Sequence, residues 1–295
     1  MQEPPALART ALIVRTSNWM PAMLDVAKQA EKSHADGKIL QNSVDGVGVI
    51  TFNNPEKRNA MSLEMWEGLG DALVALRDNA DVRVVILVGA GDKAFVSGAD
   101  ISQFEKTRHN AEASEEYSRR SAAQRALLAD YPKPTIACIR GFCLGGGMQV
   151  AMLADIRLAS DNSRFGIPAA RLGIAYGYDG LRNLVSLVGP SWARLIMYTG
   201  MRIDAAEALR IGLVDRVLPD AELWDATMEI ARTISGNAPL AIKAAKITIA
   251  QVLKDPAQRD MDAIKQIGIA CMDSEDFREG RRAFMEKRKP KFTGR

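Results

Sequence analysis

Histidine and cysteine are the scarcest reactive residues in this chain. Among 295 residues there are only 2 histidines and 3 cysteines. A serine-hydrolase triad needs a histidine with a serine and a carboxylate, and a histidine-rich metal site needs further metal ligands. Neither His34 nor His109 has such partners in a recognisable pattern. Cys138, Cys143 and Cys271 lie among apolar neighbours at no metal-ligand spacing. We therefore expect buried, reduced thiols in an intracellular protein without a bound metal.

The chain also lacks a large excess of either charge and any long apolar run. The 39 Lys and Arg residues nearly balance 36 Asp and Glu residues, which leaves a net charge of +3 and predicts no nucleic-acid partner. No apolar run approaches the ~20 residues of a membrane span, so the sequence predicts a soluble, cytoplasmic protein with no membrane partner. The hydrophobic content of 47% is typical of a globular chain with a sizeable core.

The pattern along the chain predicts three segments. Residues 1–36 lack a consistent pattern and are predicted to be a poorly ordered N-terminal extension. Residues 37–235 alternate short strands with helices, which predicts an α/β core, and residues 236–295 are predicted to be helical. The predicted strands are 46–52, 83–88, 134–140, 155–159 and 214–217, and the predicted helices are 63–77, 113–128, 148–154, 181–188, 191–198, 205–211, 221–235, 239–253, 257–272 and 275–287.

Two glycine-containing loops follow predicted strands, at residues 95–101 and 141–147. In the second loop a triple glycine, Gly145 to Gly147, precedes a predicted helix. Glycine lets a ligand approach the backbone, and the first N–H groups of a helix have no partner within it. The loop therefore suits a developing anion, with a tight strand-to-helix turn as the alternative. Its spacing matches neither a phosphate-binding P-loop nor a dinucleotide fingerprint.

Four short motifs, consistently spaced between about residue 37 and the C-terminus, carry a resemblance to a known family. They are Asn59-Ala60-Met61, Phe95-x-Ser97-Gly98-Ala99-Asp100-Ile101, Gly141-x-x-Leu144-Gly145-Gly146-Gly147 and Glu286-Lys287-Arg288-Lys289-Pro290-x-Phe292. Together they resemble the crotonase superfamily, also called the enoyl-CoA hydratase/isomerase family.

The resemblance implies an α/β fold, a crotonase-like spiral of ββα units with a C-terminal helical module for oligomerisation. It implies a homotrimer or a hexamer made of two trimers. It implies an acyl-CoA thioester as substrate, with no separate cofactor. It also implies an oxyanion hole made by the backbone N–H groups of Ala99 and Gly146, which would stabilise a thioester enolate.

The same resemblance implies contacts to coenzyme A at several further positions. Ala60 and Ile101 would line the adenine end of the cleft, and Phe284 and Lys287 would reach a CoA, often that of a neighbouring subunit. The basic tail around Lys287 fits either CoA phosphates or a solvated helix face. The remaining expected substrate-binding positions are Gly98, Gly145, Gln149, Ala169 and Tyr178.

The chain departs from the hydratase pattern at both glutamates that activate water in this family. By motif position, these glutamates are replaced by Gln149 and Ala169. An amide has no useful pKa and alanine has no polar group, so neither can act as a general base. We therefore expect chemistry other than glutamate-based hydration.

The loop at residues 172–180 offers other polar groups. Tyr176 and Asp179 are candidates for catalysis, although Asp179 could also cap the helix predicted near residue 181 and the tyrosines could pack at a contact. Leu172-Gly173-x-x-Tyr176 is similar to the methylmalonyl-CoA decarboxylase branch, whose tyrosine acts on the substrate carboxylate. That branch has histidine where this chain has Ala99, and Arg171 could supply the positive charge instead.

These observations favour an acyl-CoA enzyme that forms an enolate, with decarboxylation of a malonyl-type CoA as the leading reaction. A proton-shifting isomerase that uses Asp179 or Tyr176 is the next alternative. A hydratase with a replacement acid or base such as Asp179, and a catalytically silent CoA-binding homologue, also remain open.

Overall fold

The computed structural model describes residues 30–100 and 110–295. Ile101, one of the expected CoA-binding residues, lies outside these described residues, and so do residues 1–29 of the predicted extension. Within the part of the chain that is described, no helix is long and apolar enough to cross a membrane.

Strands and helices alternate through the first two thirds of the chain, as the pattern predicts. The strands are β1 (Lys32–His34), β2 (Ile39–Val44), β3 (Val47–Phe52), β4 (Val84–Gly89), β5 (Ala94–Val96), β6 (Thr135–Ile139), β7 (Phe142–Leu144), β8 (Ile156–Ser160), β9 (Arg164–Gly166), β10 (Arg202–Asp204) and β11 (Arg216–Leu218). The helices are α1 (Leu63–Asp78), α2 (Ala111–Ala129), α3 (Gly146–Leu153), α4 (Tyr178–Thr199), α5 (Ala205–Arg210), α6 (Leu223–Gly236), α7 (Pro239–Val252), α8 (Met261–Asp273) and α9 (Glu275–Met285).

The larger sheet has the order β1-β2-β3-β4-β6-β8-β11. Its first three strands pair antiparallel, and the strands from β3 onward pair parallel. Strand β4 is buried along its whole length because both faces of the sheet are covered. Val85 and Leu87 join one apolar cluster, whereas Val84 and Ile86 join a second cluster with Trp224 of helix α6. This two-sided burial explains the uninterrupted apolar run of the strand.

The smaller sheet has the order β10-β9-β7-β5 and consists of strands of three residues. Strands β5, β7 and β9 run parallel to one another. The carboxyl ends of parallel strands meet at one edge of a sheet. The two glycine loops, which follow β5 and β7, are therefore brought side by side.

Local signals in the sequence account for the ends of the helices next to these loops. Helix α1 begins after Ser62, whose hydroxyl accepts a hydrogen bond from the Met65 N–H as an N-cap. The two helices predicted at 181–188 and 191–198 form the single span α4, which is interrupted at Gly189 with a φ of 72°. Pro190 follows this break inside the span.

The C-terminal helices are largely uncovered. Helices α7 and α8 contain no fully buried residue, and large apolar side chains such as Val252, Leu253 and Met261 are exposed. The tail that follows α9 is held back onto that helix. The Asp276 carboxylate accepts hydrogen bonds from the backbone N–H groups of Thr293 at 2.7 Å and Gly294 at 2.9 Å.

The structure corrects the sequence prediction in several places. Residues 32–34 of the predicted extension form β1, which pairs with β2 across a turn where Asp36 and Gly37 have positive φ values. The boundary at residue 36 was placed too late. The reason is that the lysine, serine and histidine of β1 show no alternation of apolar and polar residues that would predict a strand. The three-residue strands of the smaller sheet were not predicted, because such short segments carry no period. Strand β11, at Arg216–Leu218, begins two residues later than predicted and ends one residue later.

Candidate active site

A cavity of about 610 Å³ opens between the two glycine loops, helix α2 and the loop that leads into helix α4. It brings together most of the residues expected to act in catalysis or substrate binding. The expected residues that line it are Gly98, Ala99, Gly145, Gly146, Gln149, Ala169, Tyr176, Tyr178 and Asp179.

The two loops approach so closely that glycine is required between them. A Cβ atom on Gly147 would lie 2.1 Å from the Val96 carbonyl oxygen, a distance that no side chain can tolerate. Gly98 and Gly145 have φ values of +124° and +48°, in the region that favours glycine. Glycine at these positions therefore sets the loop geometry.

The backbone N–H groups of Ala99 and Gly146 are neighbours at this junction. Met61 fixes the first loop, because its N–H donates to the Gly98 carbonyl at 2.8 Å and its carbonyl accepts from the Asp100 N–H at 2.9 Å. Successive backbone groups of an extended segment alternate in direction, so the Ala99 N–H faces away from Met61. A Cβ atom on Gly146 would lie 3.7 Å from the Ala99 nitrogen.

Gly146 is the first residue of helix α3, so its N–H has no acceptor within the helix. The partial positive charge at a helix N-terminus adds to the attraction for an anion. Within residues 30–100 and 110–295, neither the Gly146 nor the Ala99 N–H donates to a protein acceptor. Two adjacent donors that line a cavity can hold one oxygen atom that carries negative charge.

Tyr176 reaches the Gly145–Gly146 corner from the loop before helix α4. Its hydroxyl donates to the Gly145 carbonyl oxygen at 3.4 Å. Burial raises the pKa of Tyr176 well above its usual range, while a hydrogen bond from Gln149 and the charge of Arg125 act in the opposite direction. The phenol is therefore a neutral hydrogen-bond donor at physiological pH.

Asp179 and Tyr178 lie at the exposed rim of the cavity rather than deep within it. The Asp179 side chain is 86% exposed, and it pairs with Arg182 at 4.0 Å. Tyr178 is 78% exposed. The interpretation of Asp179 as the N-cap of the following helix is wrong, because Gly177 occupies that position and Asp179 lies in the first helical turn.

Several residues expected at the site lie elsewhere in the described structure. Ala60 is buried at 8% exposure and does not line the cavity, whereas Phe284 is 83% exposed at the end of helix α9. Lys287, with a φ of 52°, is exposed just beyond that helix. Arg171 also lies outside the cavity, and its Nε donates to the Thr199 carbonyl at 3.2 Å. The exposed positions of Phe284, Lys287 and Arg171 fit a surface contact, whereas Ala60 is buried.

Arg125 of helix α2 is a cavity residue that sequence reasoning missed. It is half-buried, stacks over the Trp66 ring at 5.5 Å and donates from Nη1 to the Ser121 hydroxyl at 3.0 Å. The i, i+4 spacing of Ser121 and Arg125 is visible in the sequence. However, the helix is polar around most of its surface, so its pattern does not show which face borders a cavity.

Comparison with known proteins decides the family. The family model described as enoyl-CoA hydratase/isomerase matches residues 42–295. The chain belongs to the enoyl-CoA hydratase/isomerase family. It is thus a crotonase-superfamily acyl-CoA enzyme of the lyase or isomerase type.

Relatives in this family share about a third of their residues with the chain. The short-chain-enoyl-CoA hydratase of Clostridium acetobutylicum is 38% identical over 247 residues, which cover 82% of this chain and 92% of that protein. The crotonyl-CoA hydratase of Syntrophomonas wolfei is 34% identical, with 87% of this chain and 98% of that protein covered.

Solved structures of the family confirm the expected crotonase fold with its C-terminal helices. An enoyl-CoA hydratase/carnitine racemase from Magnetospirillum magneticum is 35% identical with a TM-score of 0.84, and the match covers 88% of this chain and 96% of that one. An enoyl-CoA hydratase from Bacillus anthracis is 33% identical with a TM-score of 0.80, and the match covers 88% and 100%. None of these matches is specific to the methylmalonyl-CoA decarboxylase branch.

Proposed function

We propose that this acyl-CoA enzyme holds the thioester oxygen of its substrate between the backbone N–H groups of Ala99 and Gly146. Their adjacency at the edge of the smaller sheet supports this assignment, as does the start of helix α3 at Gly146. When a carbanion forms next to the thioester, its charge moves onto this oxygen. Fixed donors stabilise that charge without having to reorganise, and the loss of one typically costs ~3–4 kcal/mol of barrier.

We propose decarboxylation of a malonyl-type CoA as the reaction. The side chains deep in the cavity support this proposal. They include Gln149, Ala169 and Tyr176, and among the described residues there is no carboxylate at that depth. In decarboxylation, the bond between Cα and the carboxylate breaks and its electron pair forms the enolate. Carbon dioxide leaves, and a proton then adds to Cα. These steps need an oxyanion hole but not a pair of glutamates to activate water.

A turnover panel read by mass spectrometry tests this reaction. Purified protein is incubated separately with methylmalonyl-CoA, crotonyl-CoA and a 3-enoyl-CoA. The proposal predicts loss of CO₂ from methylmalonyl-CoA, no hydration of crotonyl-CoA and no double-bond shift in the 3-enoyl-CoA. Hydration or isomerisation without decarboxylation would refute it, and binding of all three without turnover would indicate a silent homologue.

Hydration of an enoyl-CoA is the second candidate, because the curated relatives described above carry hydratase names. It requires a carboxylate that can activate water. Among the described residues that line the cavity, the carboxylates are Asp130 and Asp179, and both are exposed. Asp179 would have to turn inward from the rim to serve, which makes this candidate weaker than decarboxylation.

We also propose that the chain assembles as a homotrimer or a hexamer through its C-terminal helices. The exposed apolar side chains of α7, α8 and α9 support this, since such a surface is usually covered in solution. Phe284 and Lys287 would then contact the CoA of a neighbouring subunit, which fits their exposed positions. Light scattering coupled to gel filtration measures the mass, and a monomer would refute the assembly.

A further inference from the structure

The peptide group between Gly145 and Gly146 has two functional ends. Its nitrogen carries the Gly146 N–H that faces the cavity, and its carbonyl oxygen belongs to Gly145. Because a trans peptide is planar, this carbonyl and this N–H point in opposite directions and turn together. Any group that holds the Gly145 oxygen therefore also sets the direction of the Gly146 N–H.

This peptide group needs an external restraint. Gly145 has a φ of 48° and a ψ of −106°, a conformation that residues with side chains rarely adopt. A glycine has no side chain that would limit rotation about these bonds. Two donors restrain the Gly145 oxygen, namely the Gln149 N–H at 3.1 Å and the Tyr176 hydroxyl at 3.4 Å.

The surroundings of Tyr176 aim its hydroxyl at this oxygen. The Gln149 side chain lies beside the phenol, and its hydrogen bond with the phenol lowers the pKa of Tyr176. The phenol proton itself is donated to the Gly145 carbonyl oxygen. The ring packs against Gly180, where a Cβ atom would lie 2.6 Å from Tyr176 Cε1.

We propose that Tyr176 is a positioning residue of the oxyanion hole, whose hydroxyl fixes the Gly145–Gly146 peptide so that the Gly146 N–H stays directed at the thioester oxygen. The inference rests on the proposed oxyanion hole. Hydrogen bonding to the carbonyl also polarises the peptide and strengthens its N–H as a donor. This role differs from direct action on a substrate carboxylate, because it extends to substrates that have no carboxylate.

Infrared difference spectroscopy of bound butyryl-CoA tests the inference. This saturated thioester has neither a carboxylate nor a double bond, and a ¹³C label identifies its carbonyl stretch. In the wild type, the two N–H donors are expected to shift the stretch to lower frequency. Tyr176→Phe keeps the ring and removes the hydroxyl, so it is expected to lose part of this red shift while the dissociation constant changes little.

Tyr198→Phe is the matched control, since Tyr198 is exposed on helix α4 and does not line the cavity. It is expected to keep the full red shift. Gly180→Ala displaces the Tyr176 ring without changing the phenol and is expected to lose red shift as Tyr176→Phe does. A full red shift in both Tyr176→Phe and Gly180→Ala would overturn the inference and leave the oxyanion hole standing. A wild type without any red shift would overturn the oxyanion hole itself.

Discussion

At the scale of single residues, Gly180 determines whether Tyr176 can occupy its place. It lies in the first turn of helix α4, and the Tyr176 ring fills the space that a side chain at this position would need. The sequence shows three glycines in this loop but does not distinguish them. The structure separates them, since Gly173 has a φ of 64°, Gly177 has open space around it, and Gly180 is packed against a ring.

We predict that Gly180→Ala lowers turnover roughly tenfold, the effect of about one lost hydrogen bond in the transition state. The stability of the fold should stay within about 1 kcal/mol of the wild type, because alanine favours the helix. Steady-state kinetics and thermal unfolding measure the two effects. Gly236→Ala is the control, because Gly236 is exposed with nothing within 4 Å of its Cβ position. Equal turnover in the two variants would contradict the packing argument.

We predict that Asp179→Asn keeps its turnover within about threefold of the wild type, because decarboxylation needs no carboxylate base and the exposed Asp179–Arg182 pair contributes at most about 1 kcal/mol to stability. The carboxylate is 86% exposed although Asp179 lines the cavity. Steady-state kinetics with the substrate found in the turnover panel measures this. Loss of nearly all activity, with the fold intact by circular dichroism, would instead support Asp179 as an acid or base and favour the hydratase candidate.

Sequence reasoning could place the backbone residues of the site but not the roles of its side chains. The family resemblance predicted roles for Gly98, Ala99 and Gly146, and all three line the cavity. The interpretation of Asp179 as a helix cap was wrong, because the helix begins at Tyr178, one residue earlier, and Gly177 is the N-cap. Arg125 was missed because its position depends on how helix α2 packs, which is a tertiary property.

At the scale of secondary-structure elements, the ease of prediction follows the length and period of each segment. Long helices and the buried strands β3, β4 and β6 lie close to their predicted bounds. The three-residue strands of the smaller sheet are set by pairing with distant partners, and glycines interrupt their pattern. The candidate active site lies at the ends of these short strands. The sheet that positions it was therefore the least predictable part of the fold.

The connection between helix α9 and the C-terminal tail depends on Glu279. Its carboxylate accepts hydrogen bonds from Arg282 at 2.6 Å, from Arg288 at 2.6 Å and from the Lys291 N–H at 2.9 Å. The Arg288 and Arg282 hydrogen bonds and the backbone N–H hold the pKa of Glu279 well below its usual value of 4.5. The charged form is therefore the one that the folded protein favours.

We predict that Glu279→Gln lowers the free energy of unfolding at pH 7. A lowered pKa in the folded state means that the carboxylate stabilises the fold fully above its ordinary pKa of 4.5. That contribution is lost as the pH falls through the lowered pKa. The difference between wild type and Glu279→Gln should therefore narrow below pH ~4.5, as measured by urea unfolding at several pH values.

Glu275→Gln on the same helix is the control, because this carboxylate is 69% exposed and pairs with Arg278 at the surface. It is expected to change the free energy of unfolding little at any pH. A pH-independent difference between wild type and Glu279→Gln would show that the charge of Glu279 is not what joins the tail to helix α9.

At the scale of the whole molecule, the α/β core forms the cavity and the C-terminal helices present an apolar surface. The hydrophobic content of 47% is ordinary for a globular chain, so it predicts a buried core but not which helices stay exposed. The family and its acyl-CoA chemistry were predictable from the motifs. The acyl group was not, because the shape of the cavity depends on loops that pack across the whole chain.

If the Gly146 N–H stabilises a thioester enolate, then Gly146→Pro should slow the reaction sharply. Proline is tolerated at the first position of a helix but has no N–H to donate. Turnover of methylmalonyl-CoA by wild type and variant is measured by mass spectrometry, together with CoA affinity and circular dichroism. We predict an intact fold, retained CoA binding and turnover lowered by about 10²–10³-fold. Wild-type turnover in the folded variant would show that the Gly146 N–H does not stabilise the enolate.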